Sequence, residues 1–89
     1  MSRRDEWREV LDSEVERWSA RSWERLVADL NELQAYEIEF DWKKYQVEVE
    51  LLENTARYLN VIVAVDDGSL PASIRPEART FMVRKNTSI

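Results

Sequence analysis

Between Leu33 and Tyr36 the apolar residues of this chain change their spacing, and that change limits the fold more than any other feature. Before it, Trp7, Val10, Leu11, Val15 and Trp18 recur every three or four residues, with Arg, Glu, Asp and Ser between them. After it, Tyr36, Ile38 and Phe40 alternate with Glu37, Glu39 and Asp41. A period of about 3.6 residues paints one stripe on a helix, and a period of two paints one face of a strand. The chain is therefore helical first and extended afterwards. Helices grouped ahead of strands imply an α+β domain of two layers rather than a parallel sheet with crossover helices.

The spacing predicts a first helix from about Arg4 to Trp18, with Glu14 and Arg17 able to pair one turn apart. Ser19-Ala20-Arg21-Ser22 breaks its phase, and either Ser can cap a second helix. Trp23, Leu26, Val27, Leu30 and Leu33 predict that helix over about 22–33. Strands are expected over 36–41, 44–53 and 58–66, with a short fourth over 79–84 carrying Phe81 and Val83 inward. Pairing Phe40 with Tyr45 across the Asp41–Lys44 connection keeps both apolar sets on one face, and it sets Glu37 opposite Glu48. The doublet Leu51-Leu52 is the natural site of a bulge before strand three, whose inward residues are Leu59, Val61, Val63 and Val65. The expected architecture is one domain over residues 1–89. Two N-terminal helices pack on one face of a three- to four-stranded antiparallel meander.

Composition excludes much chemistry. With no Cys there is no disulfide, thiolate site or Cys nucleophile, and with no His the commonest general base and metal ligand are missing. One Gly cannot build a Gly-rich phosphate loop. The longest apolar run, Val61 to Val65, is far short of the roughly 20 residues of a membrane span. MSRRDEWREV has charges where a signal peptide needs an apolar stretch. These points lead to the expectation of a cytoplasmic protein. The net charge of −5 opposes binding to phosphate backbones. A nucleic-acid reading would have to rest on Arg57, Arg75, Arg79, Arg84 and Lys85, clustered in the C-terminal part.

The segments YQVEVELLENT, VAVDDGSLPASIRP and FMVRK together resemble a group of small uncharacterised bacterial proteins of about this size. The resemblance covers most of residues 36–85, and more weakly RWSA with helix two. It implies a stand-alone protein and no activity, cofactor or catalytic residue.

Three features compete for a function. Asp66-Asp67, beside Gly68 and Ser69, is the nearest approach to an acid or cation site, with Arg75 as a helper, yet Asp and Gly end strands for backbone reasons alone. Ser69, Ser73 and Ser88 have no His to activate them. Second, Glu37, Glu39, Glu48 and Glu50 point away from the core, and Leu52, Ile62, Ala64 and Met82 fall on the same face. Plain solvation explains the acids, and a cover from the loop Leu70–Ala78 would explain the apolar residues. A docked partner explains both. Third, Trp42 stands in the first hairpin turn, beyond reach of the core, unless it folds back onto Tyr36, Tyr45 or the sheet edge. The other tryptophans, Trp7, Trp18 and Trp23, fit the helix stripes as core. The expectation is a non-catalytic, cofactor-free module that binds another protein or itself through Trp42, Glu37, Glu39, Glu48, Glu50, Leu52, Ile62 and Met82. The alternative is a small enzyme or a ligand- or metal-binding protein using the Asp66-Asp67 turn.

Overall fold

A computed structural model describes residues 3–68 and 77–85. Two helices, α1 (Arg3–Ser19) and α2 (Trp23–Asp29), precede four strands, β1 (Gln34–Phe40), β2 (Lys43–Asn54), β3 (Tyr58–Asp66) and β4 (Glu77–Arg84). The strands form one antiparallel meander in the order β1-β2-β3-β4. No described helix is long and apolar enough to cross a membrane.

The helix boundary obeys local chemistry. The Ser22 hydroxyl accepts the Arg25 N–H at 3.2 Å, which caps α2. At the other end α2 stops one turn short of its expected end at Leu33. The Leu30 N–H still bonds to the Leu26 carbonyl, and the chain then turns into β1. Gln34 holds that corner by donating to the Asp29 carbonyl at 2.8 Å. Leu33, expected on the apolar stripe, is exposed as a result.

Trp7, Val10, Leu11 and Trp18 of α1 join Leu26 and Leu30 against Tyr45, Val47 and Val49 of β2 and Leu59, Val61, Val63 and Val65 of β3. Trp23 is half-buried at the margin of this core rather than inside it. Arg79 of β4 reaches Asp12 of α1 and ties the far strand to the helix. At the opposite side Lys43 pairs with Glu6 at 2.7 Å, so the base of the first hairpin is also fastened to α1.

The hairpin register differs from the expected one by two residues. Ile38, not Phe40, faces Tyr45, and Phe40 faces Lys43. The connection is only Asp41-Trp42, and both have positive φ, 50° and 69°. This is the signature of a type I′ turn, the connection that matches strand twist. A two-residue shift preserves which face each side chain occupies, so the core is unchanged. The charge pairing does change. Glu37 lies opposite Gln46, which donates to it at 3.3 Å, and Glu39 lies opposite Lys44. Glu48 is flanked by Ala35 and Ala64. The expected Glu37–Glu48 repulsion is absent.

The bulge falls where expected. Leu51 pairs with Val61 and Glu53 with Asn60, leaving Leu52 as the extra residue. The next turn is closed by the Thr55 hydroxyl, which accepts the N–H groups of Arg57 and Tyr58. The fourth strand starts two residues earlier than expected, at Glu77. Residues 69–76, with Ser69, Ser73, Arg75 and most of the Leu70–Ala78 loop, lie outside the described residues, as does Ser88.

Candidate functional site

The strands give the domain two sheet faces. The helices pack on one. The other carries Glu37 and Glu39 from β1, Lys44, Gln46, Glu48 and Glu50 from β2, Ile62 and Ala64 from β3, and Thr80 and Met82 from β4. Direct pairing sets Glu50 beside Ile62 and Ile62 beside Thr80. Met82 sits opposite Asn60 and so is a diagonal neighbour of Ile62 rather than its partner. The four glutamates are exposed, Met82 and Leu52 are about half-exposed, and Ile62 and Ala64 are half-buried between their strand neighbours. The face is mainly acidic on β1–β2, and on β3–β4 it mixes Ile62, Ala64 and Met82 with Asn60, Thr80 and Arg84.

Trp42 stands at one end of this face. Its side chain is 92% exposed, so it does not fold back onto Tyr36, Tyr45 or the edge. Its backbone occupies the left-handed region, where a bulky side chain is an outlier and where type I′ turns take Gly or Asn. Neither turn geometry nor packing within the chain explains this residue. The Lys43–Glu6 pair beside it holds the tip in place. Glu6 lies below the usual carboxylate range, chiefly through its hydrogen bond to Lys43, and Lys43 is raised in return.

At Asp66-Asp67 the described contacts are those of a turn. An Asp66 carboxylate oxygen accepts the Gly68 N–H at 2.8 Å, and Gly68 takes φ of 77°. This is an Asx turn. Among the described residues no three acidic side chains gather to hold a metal ion.

One cluster is not legible as a site in the sequence. Glu14 on α1, expected at the helix surface, is 2% exposed and is the only buried charged residue among those described. Its carboxylate accepts the Tyr36 hydroxyl at 2.5 Å and the Arg17 guanidinium at 3.2 Å. Tyr36 in turn accepts the Trp18 indole N–H at 2.7 Å. The chain Trp18–Tyr36–Glu14–Arg17 thus satisfies four polar groups under the edge of the sheet. Burial, then the hydrogen bond to Glu14, pushes the Tyr36 phenol up to about 12. A sequence signal exists all the same: Glu14 lies on the apolar stripe with Leu11 and Trp18. A carboxylate at such a position implies a hydroxyl or guanidinium partner inside.

No protein-family model, curated protein or solved structure matches this chain. The resemblance of the strand block therefore brings no activity with it, and function has to be argued from the surface alone.

Proposed function

We propose that this domain is a non-catalytic interaction module that docks a basic protein segment on its open sheet face, with Trp42 as the anchor. The observation that carries the reading is Trp42: an almost fully exposed indole on a left-handed backbone position, beside a face that carries both acidic and apolar residues. A backbone strained by about 1–2 kcal/mol to display an aromatic ring is accounted for by something that receives the ring. Buried tryptophans are frequent anchors of interfaces.

Charge decides what kind of occupant fits. Stacking two copies face to face would leave Glu37, Glu39, Glu48 and Glu50 of each to share Lys44 and Arg84 as the strand cations of that face, an excess of acid that a second copy does not balance. A different chain with Lys or Arg alternating with apolar residues meets both kinds of residue on the face. The same acids repel nucleic acid. A cytoplasmic setting is part of this proposal.

An alternating lysine–leucine peptide tests it, with backbone and indole amide shifts of the labelled protein as readout. Saturable shifts on β2, β3 and the Trp42 indole, weakened by salt, support the reading. Shifts spread over the helices, or unaltered in Glu48→Lys, overturn it. Sedimentation of the free protein as a dimer would replace the basic segment with a second copy.

A further inference from the structure

We propose that a second site, a pocket between α1, α2 and the start of β1, binds a small monocarboxylate. The pocket has a volume of about 530 Å³ and is lined by Arg17, Trp18, Arg21, Arg25, Gln34 and Tyr36, among others. It is lined by the two helices and the helix-facing side of β1, away from the open sheet face, and it is independent of the docking proposal.

Three arginines meet here in a chain whose net charge is −5. Two acids accompany them. Arg21 and Arg25 both donate to the same oxygen of Asp29, at 2.9 and 3.0 Å, and Arg17 donates to Glu14 at 3.2 Å. Three guanidiniums against two carboxylates leave one positive charge to be balanced. A single carboxylate balances it. A phosphate dianion overshoots, and the overall charge of the chain opposes it further.

The groups are held before a ligand arrives. Arg21 lies over the Trp18 ring, 3.8 Å from its centroid, which steadies the fork. Trp18 is itself fixed by its bond to Tyr36, and Tyr36 by its bond to Glu14. Each guanidinium gives one nitrogen to its acid, while the fork has five N–H donors. The remaining donors suit the two parallel bonds that a carboxylate accepts. A serial contact of this kind, from cation to indole to phenol to buried acid, is more than a surface ion pair needs. Holding an arginine steady is what a bidentate anion site needs.

Titration with sodium acetate, sodium benzoate, inorganic phosphate and sodium chloride at matched ionic strength tests the site. The reporters are the Trp18 indole N–H and the Arg21 side-chain N–H signals. Acetate or benzoate should give saturable shifts of both, and phosphate weaker ones. Arg25→Gln, at an exposed position, should keep the fold and weaken carboxylate binding about tenfold or more. Arg21→Lys keeps the charge and loses the fork, and should weaken it similarly. Carboxylate shifts no larger than those in chloride overturn the proposal, as does undiminished binding in both variants. Phosphate binding tighter than carboxylate overturns the ligand class.

Discussion

Strand β2 carries the contrast between the two faces of the sheet in five consecutive positions. Val47 and Val49 are fully buried against the helices, while Gln46, Glu48 and Glu50 are exposed on the other side. On β3 the contrast is weaker: Val61, Val63 and Val65 are buried, but Ile62 and Ala64 between them are half-buried and apolar. A face made only for water would continue the β2 pattern onto β3 and β4. A face made only for the core would not carry four glutamates. The covered face has its own exception, since it contains Glu14 and the Tyr36 hydroxyl, but each of those polar groups has a partner. Among the described residues the covered face is satisfied but for the Trp7 indole N–H, which is buried without a hydrogen-bond partner. On the open face Glu37 meets Gln46 and Lys44, while the Trp42 ring is almost fully exposed.

The largest effect should come from breaking the satisfied face. Val63 is fully buried between Val49 on β2 and Arg79 on β4. Val63→Asp buries a carboxylate whose charged strand neighbour, Arg79, is already paired with Asp12, at a cost of several kcal/mol against a total stability of about 5–10. The variant should show no cooperative thermal unfolding by circular dichroism at room temperature and above.

A smaller loss should come from opening the polar chain. Tyr36→Phe leaves the Trp18 N–H and one Glu14 oxygen unpartnered and should cost about 1–3 kcal/mol in urea denaturation. It should also change the alkaline limb. The folded phenol is raised from its ordinary 10.0 to about 12, so the folded state holds its proton more tightly than the unfolded state does. Stability from this group is complete below pH 10 and is lost as pH rises through 12. The difference between wild type and Tyr36→Phe should therefore narrow across that window. A constant difference would mean the phenol does not titrate where the structure puts it.

These two tests touch residues that differ in how readable they are. Val63 declares itself by alternation, because a strand has one buried face and a register error of two residues cannot move it. The hairpin register is not readable from Tyr36, Ile38 and Phe40, since a shift of two leaves every face intact and alternation cannot detect it. Turn chemistry would normally decide it, but Asp41-Trp42 is an unusual sequence for a type I′ turn, and the Trp hides the geometry. The end of α2 is misleading because Leu33 continues the helical stripe in sequence while Gln34 ends the helix by bonding to Asp29. The arginine pocket is unreadable because Arg17, Arg21 and Arg25 come together with Tyr36 only when β1 packs beside α1.

The exposed tip should respond in the opposite direction to the core. Trp42→Gly relieves a left-handed backbone position and removes no packing, so stability should rise by up to about 1 kcal/mol. Binding of the basic peptide should fall by tenfold or more if the ring is an anchor, as about 2 kcal/mol is a common value for one. A fall in stability instead would show that the ring is packed, and the tip would lose its claim to be a docking site.

The smallest stability effect and the sharpest test of the contrast come from β2 itself. Glu48→Lys and Glu50→Lys reverse two charges on the same strand that buries Val47 and Val49. Both positions are exposed, and their strand neighbours on that face are Ala35, Ala64 and Ile62, so no ion pair among the described residues is broken. Surface changes of this kind stay within about 0.5 kcal/mol. The melting temperature should hardly move, whereas a Val49 substitution one residue away would lower it markedly. Binding of the lysine–leucine peptide should weaken strongly, and its salt dependence should flatten, because that dependence measures the attraction between opposite charges across the interface. If the double variant binds the peptide as wild type does, with the same salt dependence, then the glutamates are solvated side chains that contribute nothing to docking. The apolar residues of the face and Trp42 would then have to carry recognition alone, and the choice of a basic partner over a neutral one would fall with the glutamates.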